Sequence, residues 1–154
     1  MNTPTVLTVI AKPGPVTTPT TEPYWKHADR GELWIQKCLS CNSYQHYPSG
    51  MCRRCWSEDL AWHRAQGTGT VWTFTVVGKP GHPAWERDTP YILALVELDE
   101  GPRMMTNIVD CNPETVFVGQ RVRLAPRASE SAQPPLQFHS KTTLCDPDNG
   151  RTSP

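Results

Sequence analysis

Cys38-Leu39-Ser40-Cys41 is followed, after a spacer of ten residues, by Cys52-Arg53-Arg54-Cys55. Two Cys-x-x-Cys pairs constrain a chain more than any other feature of this sequence. Each pair forms a tight turn that offers two sulfurs to one point. Together the pairs supply four soft thiolates, the ligand set of a tetrahedral zinc ion. Four protein ligands leave no position open to water or substrate, so such a zinc is structural. The spacer is short for paired Cys-x-x-Cys sites, but it accommodates a hairpin. Two other readings exist. A pair of disulfides suits a secreted chain, and a redox dithiol suits a βαβ pattern; neither context is visible in the sequence. His46 lies between the pairs at ligand spacing from neither, and the four cysteines already complete a tetrahedron.

The flanks of the cysteines read as β-structure. Leu33-Trp34-Ile35-Gln36-Lys37 is apolar and β-prone, and leads into the first turn. Tyr44 to Pro48 is the expected return strand. Upstream, Thr20 or Thr21 caps an expected short helix, with Pro23 in its first turn and Gly31 as its stop. Tyr24, Trp25 and Ala28 form its apolar stripe. Two roles compete for those aromatics: packing on the core, or docking on another subunit, for which large aromatics are typical anchors.

Downstream the pattern becomes alternating. Ala61–Ala65 is a short expected strand. Thr70–Val77 places Trp72, Phe74 and Val76 on one face and Val71, Thr73, Thr75 and Val77 on the other. A long Gly/Pro-rich loop, 78–90, carries His82 and Trp85. Tyr91–Asp99 alternates with Ile92, Ala94, Val96 and Leu98 on one face, and Arg103–Val109 with Met104, Thr106 and Ile108. Val116–Leu124 contains a Gly119-Gln120 break, and Leu136–His139 is the expected closing strand. About five short strands after a zinc hairpin fit a small barrel or sandwich. The expected organisation is a Pro/Thr-rich flexible arm at 1–20, a helix at 21–32, a zinc ribbon at 33–60, a barrel at 61–140 and a disordered polar tail at 141–154.

Composition excludes several classes. The chain has 15 basic and 15 acidic residues. Between Ala61 and Arg127 the balance is also even, seven against seven. Single-strand binding barrels use a basic groove with stacking aromatics. Trp72, Phe74 and Tyr91 supply aromatics, but the charge is absent, so a nucleic-acid module is the weaker reading. No apolar run is long enough for a membrane span. The first ten residues, MNTPTVLTVI, lack the parts of a signal peptide, so a cytoplasmic location is expected. No Gly-x-Ser-x-Gly elbow, phosphate loop or dinucleotide fingerprint occurs. His82 has no base–orienter partner in the sequence.

Several short motifs fall in a recognisable order. They are Tyr24-Trp25, Cys38-x-x-Cys41, Tyr47-Pro48, Cys52-x-x-Cys55, Gly67-x-Gly69-Thr70-Val71, Pro90-Tyr91, Leu98-Asp99-Glu100-Gly101 and Val118-Gly119-Gln120-x-Val122. In this order they resemble the zinc-ribbon plus OB-fold family known as domain of unknown function 35, over residues 22–140. The resemblance implies a mainly β fold: a short N-terminal helix, a rubredoxin-like zinc ribbon and a five-stranded OB barrel. It also implies a role as a non-catalytic accessory subunit that binds and stabilises a thiolase-like enzyme (a thiolase, acyltransferase or retro-aldolase) acting on acyl-CoA. On that view Tyr24, Trp25 and Trp85 are candidate partner contacts. Arg53, Arg54, Lys79 and Arg87 are candidates for acyl-CoA phosphates. A free-standing acyl-CoA binder is the alternative within the same chemistry.

Overall fold

The computed structural model describes residues 10–126 and 136–140. The expected tail at 141–154, and residues 1–9 of the expected arm, lie outside the described residues. Helix α1, Glu22–Ala28, opens with Pro23 in its first turn, where no amide is needed. It closes in a Schellman turn. Gly31 adopts φ 73°, the Glu32 N–H donates to the His27 carbonyl at 3.1 Å, and the Gly31 N–H donates to that of Ala28 at 2.9 Å. Gly31 is therefore the helix stop that the sequence indicates.

Three strands follow as one antiparallel sheet in the order β2-β1-β3: β1 Trp34–Cys38, β2 Tyr44–Gln45 and β3 Leu60–Arg64. Here the structure corrects the sequence reading. The segment beginning at Ala61 was assignable to the barrel by pattern, but β3 pairs along the whole of β1, from Trp34↔Arg64 to Cys38↔Leu60. The ribbon is thus a three-stranded sheet, not a lone hairpin.

The barrel closes in the order β4-β5-β6-β8-β7, with β4 Thr68–Val77, β5 Tyr91–Leu98, β6 Arg103–Val109, β7 Arg121–Leu124 and β8 Phe138–Ser140. Only β6 and β8 run parallel. This is the five-stranded OB arrangement. Ile92, Ala94, Val96 and Leu98 point inward from β5 and meet Met104, Ile108, Val71, Val122 and Phe138. Gly69 sits where β4 meets β5 and β7; a Cβ there would lie 2.4 Å from the Glu97 carbonyl oxygen, so the strands close this tightly only over glycine.

Strand β4 departs from simple alternation. Its register on β5 shifts between Val71 and Thr73, a β-bulge at Trp72. Val71 is buried, and after the bulge it is Phe74 that packs against the core. Trp72 turns outward, where Arg103 lies 3.4 Å from its ring centre and is held by Glu97 at 2.8 Å. The expected grouping of Trp72 with Phe74 and Val76 on one face is therefore broken. The long loop 78–90 contains a 3-10 helix, Pro83–Asp88, capped by His82, whose Nδ1 accepts the Ala84 N–H at 3.1 Å.

Tyr24 is 2 % exposed and belongs to the core, so the docking role proposed for it from sequence does not hold. Its ring meets Trp25 edge-on at 4.9 Å and His46 at 5.3 Å. His46 is also buried, and neither ring nitrogen meets a hydrogen-bond partner among the described residues. Burial, with the Arg53 charge nearby, pushes its pKa down to about 4. A histidine held neutral destabilises the fold as soon as the unfolded chain can bind its proton. Stability therefore falls as pH drops from about 6.5 toward 4, by about 3 kcal/mol at the lower end. We expect urea titrations of wild type to show this loss, and His46→Phe to flatten the slope across that window. An unchanged slope would show that His46 does not carry it.

Candidate metal centre

The two cysteine turns are near copies of each other. The Cys38 N–H donates to the Ser43 carbonyl at 2.8 Å, and the Cys52 N–H donates to the Ser57 carbonyl at 2.8 Å. In each turn the residue after the second cysteine adopts a left-handed backbone: Asn42 at φ 57° and Trp56 at φ 64°. The Ser40 and Ser57 hydroxyls, 2.8 Å apart, tie the turns together. The outcome is four sulfurs within 4.8 Å of one another. The Cys38–Cys55 and Cys41–Cys52 sulfur pairs are 3.6 and 3.7 Å apart. A tetrahedron with zinc–sulfur bonds of about 2.3 Å has edges of about 3.8 Å, so the donor set fits one zinc ion. All four cysteines are free thiols in this structure, with no disulfide between them. All four ligands named from the spacing converge, and His46 is not among them.

Two glutamines and a serine, not singled out by sequence, build the setting of this site. Gln36 on β1 faces Gln45 on β2, and both are buried. The Gln45 amide donates to Gln36 Oε1 at 2.8 Å. Gln36 then bonds both backbone groups of Ser49, accepting from its N–H at 2.8 Å and donating to its carbonyl at 3.0 Å. Gln45 Oε1 accepts the Arg53 N–H at 3.0 Å. The pair thus grips the chain on either side of Cys52. The Ser43 hydroxyl lies 3.0 Å from Cys41 Sγ and 3.5 Å from Cys52 Sγ. That contact favours both thiolates and, with backbone amides, holds Cys52 at about 6. The only sequence signal was a polar residue inside the apolar run Leu33–Lys37.

The remaining candidates are scattered. Trp25 on α1 and Trp85 on the 3-10 helix are half-buried. Arg53 and Arg54 are exposed on the second cysteine turn, whereas Lys79 and Arg87 are exposed on the β4–β5 connection. The four cations fall on two separate elements. On the outer barrel surface, Trp85, Tyr91, Leu93, Asn107 and Cys111 line a cavity of ≈ 530 Å³, with Lys12 paired to Asp88 at its edge.

Purified protein should contain one zinc per chain by elemental analysis. Cys52→Ser should lose the metal together with the ribbon fold. Gln36→Ala leaves the Ser49 amide and its partners unpaired, at a cost of about 1–3 kcal/mol. Zinc transfer to a chromogenic chelator should then be several-fold faster than from wild type. Equal transfer rates would show that the glutamine pair does not support the site.

Comparison with known proteins agrees with this construction. Residues 25–61 match the rubredoxin-like zinc ribbon domain of ChsH2, and residues 62–127 match the ChsH2 C-terminal OB-fold domain. A probable enoyl-CoA hydratase alpha subunit from Thermomonospora curvata is 40% identical over 101 residues, which are 66% of this chain but 31% of that protein. A DUF35 domain-containing scaffold protein from Methanocaldococcus jannaschii is 33% identical over 103 residues, 64% of this chain and 70% of that one. Among solved structures, a chain of the Ltp2-ChsH2(DUF35) aldolase superposes with a TM-score of 0.73 at 33% identity, covering 83% of this chain and 99% of that one. The chain belongs to the DUF35 family, in which a rubredoxin-like zinc ribbon is joined to an OB-fold barrel.

Proposed function

We propose that this chain is a non-catalytic accessory subunit that binds and stabilises a thiolase-like enzyme acting on acyl-CoA or related acyl substrates. The observation that carries the reading is the likeness to a chain of the Ltp2-ChsH2(DUF35) aldolase, which extends over 99% of that chain. The names of the relatives, scaffold protein and hydratase alpha subunit, point the same way. The chemistry of the site supports it. A zinc ion held by Cys38, Cys41, Cys52 and Cys55 would be saturated by four sulfurs and would have no coordination position for a substrate. The metal then supplies fixed shape, and the reacting groups belong to the partner, be it a thiolase, an acyltransferase or a retro-aldolase.

Trp25 and Trp85 are the candidate contacts that remain after Tyr24 is placed in the core. Lys79 and Arg87, on the connection beside the Trp85 cavity, are the side chains for nucleotide phosphates if the acyl-CoA reaches this subunit. The nucleic-acid reading is less well supported. Arg103 covers the Trp72 ring, Phe74 packs against the core and Tyr91 lines the cavity beside Trp85, so the three aromatics do not make one stacking platform.

Co-expression with a thiolase-like enzyme from the same source should yield one complex on size exclusion. The chain alone should turn over no acyl-CoA, and the partner alone should be less stable or less active than the complex. Failure of the two to co-purify at any salt concentration would sink the proposal.

A further inference from the structure

Of the six tryptophans, five have a neighbour within the chain that accounts for their place. Trp25 meets Tyr24, Trp34 stacks on His27 at 4.1 Å, Trp62 packs against the core, Arg103 covers Trp72, and Trp85 meets His82 edge-on. Trp56 has no ring partner among the described residues and is 73% exposed. It also occupies the left-handed position of the second cysteine turn. The equivalent position of the first turn holds Asn42, a residue that tolerates this backbone. A bulky side chain there is strained. Trp56 therefore gains little by burial and burdens the turn, so the fold gives no reason for its presence.

Its surroundings supply one. Leu39, in the first turn, is 52% exposed, and Met51, just before Cys52, is 40% exposed. Arg53 and Arg54 are exposed beside them and make no salt bridge among the described residues. Tryptophan and arginine are the residues most enriched at the energetic centres of protein interfaces. The Gln36–Gln45 grip and the four-sulfur site hold this turn, so little entropy is lost when it docks. We infer that the tip of the ribbon is a docking surface in which Trp56 enters an apolar pocket on the thiolase-like enzyme, with Arg53 and Arg54 meeting carboxylates at the rim of that pocket. The inference rests on the accessory-subunit reading and adds the surface by which the subunit is held.

The decisive variant is Trp56→Asn, which puts in the second turn the residue that the first turn already uses. The complex of full-length chain and enzyme is assayed by titration calorimetry, and the free chain by thermal melting and zinc content. Zinc content should stay at wild-type level and the melting temperature should be equal or higher, while Kd rises tenfold or more. Arg53→Ala with Arg54→Ala should weaken binding several-fold and reduce its salt dependence. Photo-cross-linking from p-benzoylphenylalanine at position 56 should label the enzyme. Wild-type affinity in Trp56→Asn would overturn the inference while leaving the accessory role intact. So would loss of zinc and fold in that variant, which would make Trp56 structural. Protection of position 56 by an oligonucleotide in place of the enzyme would overturn it as well. If wild type itself does not bind the enzyme, both readings fall together.

Discussion

The zinc ribbon depends on four sulfurs being held at one point. The ribbon strands bury few large apolar side chains, chiefly Leu33 and Ile35 beside Cys38. So small a sheet does not offset its own chain entropy by burial alone. Metal binding is folding free energy in such a case. The surrounding polar groups are arranged to that end. Gln36 and Gln45 fix the backbone on both sides of Cys52, and Ser43 stabilises thiolates in both turns. Helix α1 depends on the ribbon in turn, because Tyr24 is sealed against His46, a residue of the loop between the cysteine turns. The cysteine loop and the helix are therefore packed against each other.

The ribbon is joined to the barrel through packed contacts. The Ala65 N–H donates to the Leu33 carbonyl at 2.9 Å, and the next amide, of Gln66, donates to Glu100 Oε1 at 2.7 Å in the β5–β6 turn. Ala65, Leu33 and Ile35 belong to the same buried cluster as Val96 and Leu98 of β5. On the far side of that turn, Asp99 receives both ends of the Arg121 guanidinium at 2.7 Å, which fastens β7 to the same corner. A surface on the ribbon and a surface on the barrel are thus held at a fixed separation.

Much of this was legible in the sequence, and the remainder was not for identifiable reasons. Cysteine spacing is local, and metal geometry is demanding, so the ligand set follows from four residues. The strict alternation of β5 likewise leaves little choice of inward face. The bulge at Trp72 has no local signature, because a register shift is a property of two strands. Leu60–Arg64 reads equally well as a ribbon or a barrel strand, and only its pairing with β1 decides between them. Tyr24 illustrates a different gap. An aromatic on a short helix is a good anchor and a good core residue, and its neighbour His46, remote in sequence, determines which it is. Gln36 and Gln45 are not recognisable from sequence, because buried polar pairs satisfy one another in three dimensions and a sequence shows only two polar residues in β-strands.

The tryptophans show how exposure is to be read in such a molecule. Exposed apolar surface is ordinary on soluble proteins and carries no meaning by itself. Trp72 and Trp56 are both exposed, at 48% and 73%. Trp72 has a reason within the chain: the bulge turns it outward, and Arg103, itself neutralised by Glu97, covers its face. Trp56 has a local penalty in place of a reason. The near-twofold repeat of the cysteine turns sharpens the contrast, because Asn42 shows which residue the same backbone accepts comfortably. A side chain that opposes the fold where its repeat partner agrees with it is best explained by something outside the chain. Here it stands on a turn held by the glutamine pair and the four sulfurs, beside two arginines with no ion-pair partner among the described residues, where a partner enzyme would meet it already in place.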